Sequence, residues 1–133
     1  MQVPLSSVIQ LMEYSDIHRK LSVPDICRRL IAPMELTQFV VCVEDNRLKA
    51  FVTVGFFSDS VSKAFRSGTH TIQKEDWNSG SNVWLVDLVA PFGHARQITS
   101  GLRTALCGKG YKGYKINFRR NYSGKIRYSE VVI

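Results

Sequence analysis

The chain has 133 residues and a net charge of +7, and its 44% hydrophobic and 22% charged residues are typical of one globular domain over residues 1–133. Its three cysteines are far apart and its three histidines lack the spacing of metal ligands, so we expect neither a disulfide framework nor a metal site. The N-terminus lacks the basic start of a signal peptide and no apolar run approaches the ~20 residues that span a bilayer, so we expect a cytoplasmic protein without a membrane span.

The N-terminal part is predicted to contain two helices. Apolar residues recur at helical spacing in residues 3–13, which predicts an amphipathic helix. The connector that follows contains His18. Residues 22–25 (Ser-Val-Pro-Asp) resemble a helix start, with proline in the first turn and an acid near the positive end of the helix dipole. We expect this second helix to end just before Pro33, because proline disturbs a helix interior.

A β-hairpin and a short helix are predicted next. Residues 38–44 are rich in valine and phenylalanine and indicate a strand, and residues 49–57 form the returning strand. The turn falls at residues 45–47, since aspartate and asparagine tolerate left-handed backbone. A short helix over residues 58–66, capped by the serine or aspartate at its start, follows the hairpin.

A buried strand with one charge in it is the most informative segment. Residues 69–82 are polar and irregular, whereas residues 83–90 are a nearly continuous apolar run of the kind that forms central strands. Asp87 interrupts this run, and a buried carboxylate is costly unless it is paired. Alternation places Asp87 on one face of the strand with Leu85 and Val89. Its partner is a histidine, an arginine or a water-lined cleft in a functional site, or a backbone group or arginine in a structural one.

The remaining segments complete a sheet. Residues 96–107 have a helical pattern, and Pro91-Phe92-Gly93 joins the buried strand to that helix. Because backbone N–H groups at a helix start bind phosphate, this connection is a candidate anion site. Two closing strands are predicted over 114–119 and 125–133, joined at 121–124. The order of elements predicts an α+β fold with a mixed, mostly antiparallel sheet flanked by helices.

The positive charge is concentrated near the C-terminal end. Residues 94–133 carry nine Lys or Arg and one acid, whereas residues 1–93 carry nine Lys or Arg and ten acids. A basic surface attracts acidic partners such as nucleic acid or an acidic carrier protein. It can also be a solvated surface that only aids solubility.

His18 is the best candidate for moving protons. Histidine titrates near neutrality without help, and a carboxylate such as Asp87 would orient its ring and stabilise its protonated form. A histidine in a connector is also often only solvated, and the sequence does not place these two residues in contact. His70 lies in a polar segment, where we expect it to be exposed. The cysteines are most simply small core residues.

Several motifs together resemble the RTX toxin-activating lysine acyltransferases, the haemolysin-activating family. The N-terminal motif is Ser15-x-x-His18-Arg19. The more specific run is Glu75-Asp76-Trp77-Asn78-Ser79-Gly80, followed by Trp84, Asp87 and Ala90-Pro91-Phe92-Gly93. The resemblance covers most of the chain and implies a fold similar to the GNAT-type acetyltransferases.

The resemblance also implies an activity. The donor would be acyl carrier protein with a fatty acyl thioester on its phosphopantetheine arm, and no cofactor would be bound. The acceptor would be the ε-amino group of a lysine on an RTX protoxin or another protein. The family's catalytic histidine and aspartate match His18 and Asp87, and Ser15 matches a serine of the same motif. His18 would act as the base for the lysine or would itself be acylated transiently.

The resemblance and the charge pattern together predict where the donor binds. Backbone groups and two arginines are expected to hold the donor: Pro91, Phe92, Gly93, Arg96 and Arg103. The basic surface, which includes Lys109 and Lys112, would meet the acidic carrier protein.

Two other functions stay open at the level of sequence. One is a non-enzymatic binding or inhibitor protein of phage or mobile-element type that reuses the fold and contacts nucleic acid or an acidic protein with its basic surface. The other is transfer of a small acyl group from acetyl-CoA, which would need a glycine-rich pyrophosphate loop that residues 90–95 do not match. A homodimer is likewise left open.

Overall fold

The computed structural model describes residues 3–122 and 125–133. Its α-helices in this part are α1 (Leu5–Met12), α2 (Val23–Ile26), α3 (Ala32–Glu35), α4 (Asp59–Arg66) and α5 (Ala95–Gly108). Shorter helical pieces are 3-10 helices at His18–Lys20 and Lys74–Asp76 and a π-helical turn at Cys27–Ile31. Its strands are β1 (Phe39–Glu44), β2 (Arg47–Phe57), β3 (Asn82–Val89), β4 (Lys115–Tyr122) and β5 (Lys125–Val132).

The strands form a sheet in the order β1-β2-β3-β4-β5, in which β3 and β4 run parallel and the other neighbours antiparallel. This confirms the predicted α+β fold with a mixed, mostly antiparallel sheet. The hairpin turns where predicted because Asp45 and Asn46 adopt left-handed backbone, with φ of 54° and 60°. The turn predicted at 121–124 includes residues 123 and 124, which lie outside the described residues.

Helices cover both faces of the sheet through apolar clusters. On one face, α5 buries Ile98, Leu102 and Leu106 in a cluster that includes Val52 of β2. Phe51, the strand neighbour of Val52, points to the other face and packs in the α1 cluster. A third cluster, rich in aromatic side chains, packs against α4. None of the helices in the described ranges is long and apolar enough to cross a membrane.

The helical segment around Pro33 does not end where the sequence predicts. α2, the π-helical turn and α3 follow one another without a break, so the segment continues past Pro33 to Glu35. The Ala32 N–H donates to the carbonyl of Cys27, five residues back. Proline has no N–H to donate to the carbonyl of Arg29, four residues back, and its ring would crowd that group. The helix therefore widens by one residue instead of stopping.

A β-bulge lies at the charged position of β3. Two residues of β3, Val86 and Asp87, oppose the single residue Thr53 of β2. The extra residue reverses the alternation, so Leu85 packs in the cluster under α5 whereas Val89 packs in the α1 cluster. The predicted common face for Leu85 and Val89 is therefore wrong, because simple alternation assumes an unbroken ladder.

The two parallel strands separate soon after they pair. The described pairs between β3 and β4 are Val83 with Ile116 and Trp84 with Asn117. Both strands continue beyond these pairs, β3 to Val89 and β4 to Tyr122. An opening is left between the strands beside α5, and Asp87 lies on its edge.

Candidate active site

Asp87 is the centre of the site because it is a buried carboxylate with two cationic or ionisable partners. Its residue is only 2% exposed. His18 Nε2 lies 3.0 Å from Oδ1, so the predicted pair is in direct contact. Arg29 donates from Nη2 to Oδ1 at 2.5 Å and from Nε to Oδ2 at 3.3 Å. The Asp87 backbone N–H, freed by the bulge, donates to Thr53 Oγ1 at 3.1 Å.

The environment keeps Asp87 ionised. Burial alone raises the pKa of a carboxyl, because the charged form loses its hydration. At Asp87 burial is the largest influence, but the hydrogen bonds and charges of His18 and Arg29 together outweigh it. The pKa of Asp87 is therefore lower than the ordinary value for an aspartate.

The ring of His18 is held at both nitrogens. Since the ionised Asp87 can only accept, the Nε2 beside it carries a hydrogen and donates. Ser15 Oγ lies 2.7 Å from Nδ1, the other ring nitrogen. In the neutral ring Nδ1 is then the acceptor and Ser15 donates its hydroxyl hydrogen to it. The result is a chain of hydrogen bonds from Ser15 through His18 to Asp87.

Local backbone structure places Ser15 and His18 on the same side of one tight turn. The Ser15 N–H donates to the carbonyl of Met12 at the end of α1, at 3.0 Å. The Ser15 carbonyl accepts from the Arg19 N–H at 2.9 Å. These bonds close one helical turn, which brings the two side chains three residues apart into contact. The spacing Ser-x-x-His in the sequence is therefore the spacing that this contact needs.

A cavity of about 900 Å³ adjoins the His18–Asp87 pair and fills the opening between β3 and β4. Its walls come from β3, β4, β5 and the first nine residues of α5, together with His18 and Arg29. Most of the lining is apolar and includes Leu85, Leu88, Leu102, Ile116, Phe118, Ile126 and Val131. The charged lining besides Asp87 is basic, and consists of Arg29, Arg96, Arg103 and Arg119. A cavity of this kind suits a long apolar chain that ends in an anionic group.

The residues predicted to bind a donor divide into two groups. Arg96, in the first turn of α5, and Arg103, about two turns further along, line the cavity. Pro91, Phe92 and Gly93 are not among its lining residues. They form the connection to the first turn of α5, whose N-cap makes no side-chain hydrogen bond, so that its first N–H groups stay available. Phe92 instead packs on the ring of Tyr14, with centroids 5.1 Å apart.

Arg29 is the contact of Asp87 that the sequence did not single out. An arginine was one of the partners considered for Asp87, but nothing in residue spacing selects Arg29 from its neighbours. The signal was Pro33, four residues later, since a proline removes the helical hydrogen bond to the carbonyl of Arg29. The resulting π-helical turn contains Arg29, and such turns are frequent at functional sites.

The other histidines and the cysteines do not join this site. His70 Nε2 lies 2.7 Å from Asp76, and the ring is partly buried rather than exposed as expected. His94 Nε2 lies 3.1 Å from Glu44. Cys27 and Cys107 are exposed, so the prediction of core cysteines is wrong for these two, whereas the half-buried Cys42 packs against the cluster under α5. Among the described residues no cluster of three or more His, Cys, Asp or Glu could hold a metal ion.

Comparison with known proteins agrees with the sequence resemblance. Residues 2–127 match the model of the RTX toxin acyltransferase family. The lysine-acyltransferase RtxC of Vibrio cholerae serotype O1 is 31% identical over 103 residues, which are 77% of this chain and 67% of that protein. The RTX-II toxin-activating lysine-acyltransferase ApxIIC of Actinobacillus pleuropneumoniae is 24% identical over 124 residues, 93% of this chain and 78% of its own length.

A third relative is the protein-lysine myristoyltransferase RtxC of Kingella kingae, which is 25% identical over 99 residues, 74% of this chain and 59% of its own. The family match spans nearly all of the chain and includes Ser15, His18 and Asp87. The chain therefore belongs to the RTX toxin acyltransferase family, and it is an acyltransferase.

Proposed function

We propose that this acyltransferase moves a fatty acyl group from acyl carrier protein to the ε-amino group of a lysine on an acceptor protein. The observation that carries the proposal is the buried His18–Asp87 pair, 3.0 Å apart, on the wall of a cavity of about 900 Å³. The pair supplies a base, and the cavity supplies room for an acyl chain beside it. An RTX protoxin is the proposed acceptor, because relatives carry the name of toxin-activating lysine acyltransferase.

The cavity lining supports a fatty acyl donor. The apolar side chains of β3, β4 and α5 can remove an acyl chain from water, which contributes about 0.8 kcal/mol per buried CH₂. Arg96, Arg103 and the first N–H groups of α5 are suited to the phosphate of a phosphopantetheine arm. The basic charge of residues 94–133 suits the acidic surface of the carrier.

The separation of β3 from β4 supports the fold assignment that the resemblance implies. Where the two parallel strands diverge beside a helix, a cavity is left that can hold an acyl chain. Here the divergence follows the pair Trp84–Asn117, and α5 borders the opening. We therefore propose that the chain has a GNAT-like fold and that its donor thioester lies in this opening next to His18.

The chemistry follows from the protonation of the two reactants. A lysine amine has an ordinary pKa near ~10.4 and must lose a proton to attack a thioester. The nitrogen forms a bond to the thioester carbonyl carbon, the carbon–sulfur bond breaks, and the carrier leaves as a thiolate. The ammonium form first releases one proton to solvent. As the neutral amine attacks, His18 takes a second proton from its nitrogen and gives it to the thiolate, so the products are an amide and a free thiol. Asp87 stabilises the imidazolium that forms between these steps.

The hydrogen bonds of His18 favour one of the possible routes to this product. Nε2 donates to Asp87, so the nitrogen that can receive a proton is Nδ1, which bonds to Ser15. We propose that the lysine proton reaches Nδ1 through the hydroxyl of Ser15, which can donate and accept at once. Transient acylation of His18 is disfavoured, because either ring nitrogen would first have to give up its partner.

Intact-mass spectrometry tests the proposal. The protein is incubated with an RTX protoxin and, in parallel, with myristoyl-acyl carrier protein, myristoyl-CoA or acetyl-CoA. The myristoyl group is chosen because the Kingella kingae relative is named a myristoyltransferase. We expect one or more myristoyl groups on protoxin lysines with the carrier-bound donor and little with acetyl-CoA.

Two outcomes would overturn parts of this assignment. Efficient transfer from acetyl-CoA would replace the fatty donor by a small one. Absence of transfer from every donor, together with tight and salt-sensitive binding of nucleic acid or an acidic protein, would favour the non-enzymatic alternative.

A further inference from the structure

We propose that Arg29 is a positioning residue of the transfer site and that Trp77, in the Asp76-Trp77-Asn78-Ser79-Gly80 motif, holds it in place. The effect of this positioning on the rate of acyl transfer rests on the proposed function. The motif lies away from the cavity, and none of its residues lines it. It acts on the site through the Arg28 carbonyl, to which the Trp77 indole donates.

Arg29 fixes the orientation of Asp87. Its two donors reach both carboxylate oxygens, and Oδ1 is shared with His18 Nε2. The Arg29 side chain is 23% exposed and lines the cavity next to Asp87. A carboxylate held by a two-pronged guanidinium has little freedom to rotate. Because Asp87 Oδ1 also accepts from His18 Nε2, a fixed carboxylate in turn fixes the orientation of the His18 ring.

The backbone that carries Arg29 is held from outside the helix. Trp77 Nε1 donates to the carbonyl of Arg28 at 2.8 Å, within the π-helical turn. A π-helical turn leaves its backbone less regularly bonded than an α-helix, so an external donor restricts it. The indole N–H therefore fixes the peptide that directly precedes Arg29.

Trp77 is itself firmly anchored. Its ring is fully buried in the aromatic cluster under α4. Its carbonyl accepts from the Phe56 N–H and from Gln38 Nε2, both at 2.9 Å. Gln38 is buried and also donates to the carbonyl of Val54 at 2.9 Å. These bonds tie Trp77 to β2, the strand that pairs with β3 beside Asp87.

The small residues of the motif allow this anchorage. Ser79 Oγ donates to the carbonyl of Asp76 at 2.8 Å and accepts from the Ser58 N–H at 3.0 Å. A Cβ atom at Gly80 would lie 2.5 Å from the carbonyl oxygen of Phe57, so only glycine fits against the end of β2. The motif thus links β2 to the π-helical turn that carries Arg29.

Arg28 offers a matched control. It precedes Arg29, carries the same charge, and donates from Nη2 to Asp25 at 2.6 Å instead of to Asp87. The Arg28 and Asp25 side chains are 31% and 36% exposed. Arg28→Met removes a cation from the same turn and keeps the carbonyl that Trp77 contacts.

The kinetic test compares four variants in the myristoyl-transfer assay. Misplacing a catalytic group by about 1 Å costs roughly 10²-fold, so we expect Arg29→Met to lower kcat by about that factor with little change in KM. Arg29→Lys should recover about tenfold, because it restores the charge without the two-pronged contact. Trp77→Phe, which loses only the N–H donor and part of the ring, should lower kcat by about tenfold. Arg28→Met should stay within about twofold of the wild type.

A second measurement does not depend on transfer. The Asp87 carboxyl is followed by carbon-13 NMR as pH is lowered, in the wild type, Arg29→Met and Arg28→Met. His18 and Arg29 are the ionisable groups in contact with this carboxyl among the described residues, and Arg96, Arg103 and Arg119 line the same cavity. Loss of the Arg29 charge should move the Asp87 titration to higher pH, and Arg28→Met should leave it unchanged.

The outcomes distinguish failure of the proposed transfer function from failure of the Arg29 positioning role. If the wild type transfers nothing but the Asp87 titration moves only in Arg29→Met, the proposed function fails and the anchorage stands. Equal effects of Arg29→Met and Arg28→Met in both measurements would overturn the positioning role. Thermal melting of each variant identifies unfolding, and if Arg29→Met does not fold, the kcat of Trp77→Phe decides: a wild-type value overturns the proposal.

Discussion

All three histidines of the chain hydrogen-bond a carboxylate, yet their surroundings differ sharply. The pairs, 2.7 to 3.1 Å long, are His18–Asp87, His70–Asp76 and His94–Glu44. The side chains of the first pair are 7% and 2% exposed, whereas those of the second are 28% and 14% exposed. In the third, the glutamate is 54% exposed. Contact distance therefore does not distinguish the site, and burial does.

The difference has an electrostatic consequence. Charges in contact with water are screened, and an exposed pair contributes little. The buried pair interacts in a medium of lower polarity, and Arg29 adds a third member that keeps Asp87 ionised without water. Only this pair also adjoins the cavity between β3 and β4. Folding stability alone does not require a buried charged pair beside a mostly apolar cavity.

Among substitutions of the carboxylates in these three pairs, Asp87→Asn is expected to have the largest effect on acyl transfer. The amide keeps the shape but removes the charge that stabilises a protonated His18, so kcat/KM should fall by about 10³-fold or more. This fall is measured from the rate of myristoyl transfer to the protoxin. Glu44→Gln makes the same chemical change in an exposed pair and should stay within about twofold of the wild type. If Asp87→Asn keeps a tenth or more of the wild-type activity, the proposed role of the Asp87 charge is contradicted.

A smaller effect is expected on stability at acid pH. The folded-state pKa of Asp87 is depressed, so its contribution to stability is present above the unfolded-state pKa and is lost as pH falls through the folded one. Urea unfolding at a series of acid pH values should show the free energy of unfolding of the wild type falling as Asp87 is protonated. In Asp87→Asn that pH dependence should be shallower. Parallel curves for the two proteins would show that Asp87 is not the group responsible.

Much of the fold could be predicted because local patterns determine it. The valine and phenylalanine content of β1, the Asp45-Asn46 turn and the helical spacing of α5 each reflect a local preference that the tertiary structure keeps. Asp87 stood out for the same reason, as a charge within an apolar run. These features depend on residues close to one another in the chain.

The parts that could not be predicted depend on contacts between distant residues. His18 and Asp87 are 69 residues apart, and Arg29 and Asp87 are 58 apart. The family resemblance named the first pair, but no local pattern contained the second. The β-bulge at Asp87 was also not predicted, because residues 83–90 are apolar on both sides of Asp87 and show no alternation whose reversal would reveal an extra residue.

The most direct test of the central claim compares two histidine variants in one transfer assay. His18→Ala and His70→Ala each remove an imidazole that contacts an aspartate. We expect acyl transfer to the protoxin lysine, followed by intact mass, to fall by about 10³-fold or more in His18→Ala. In His70→Ala it should stay within about twofold of the wild type. Equal rates in the two variants would contradict the claim that the buried pair performs the chemistry.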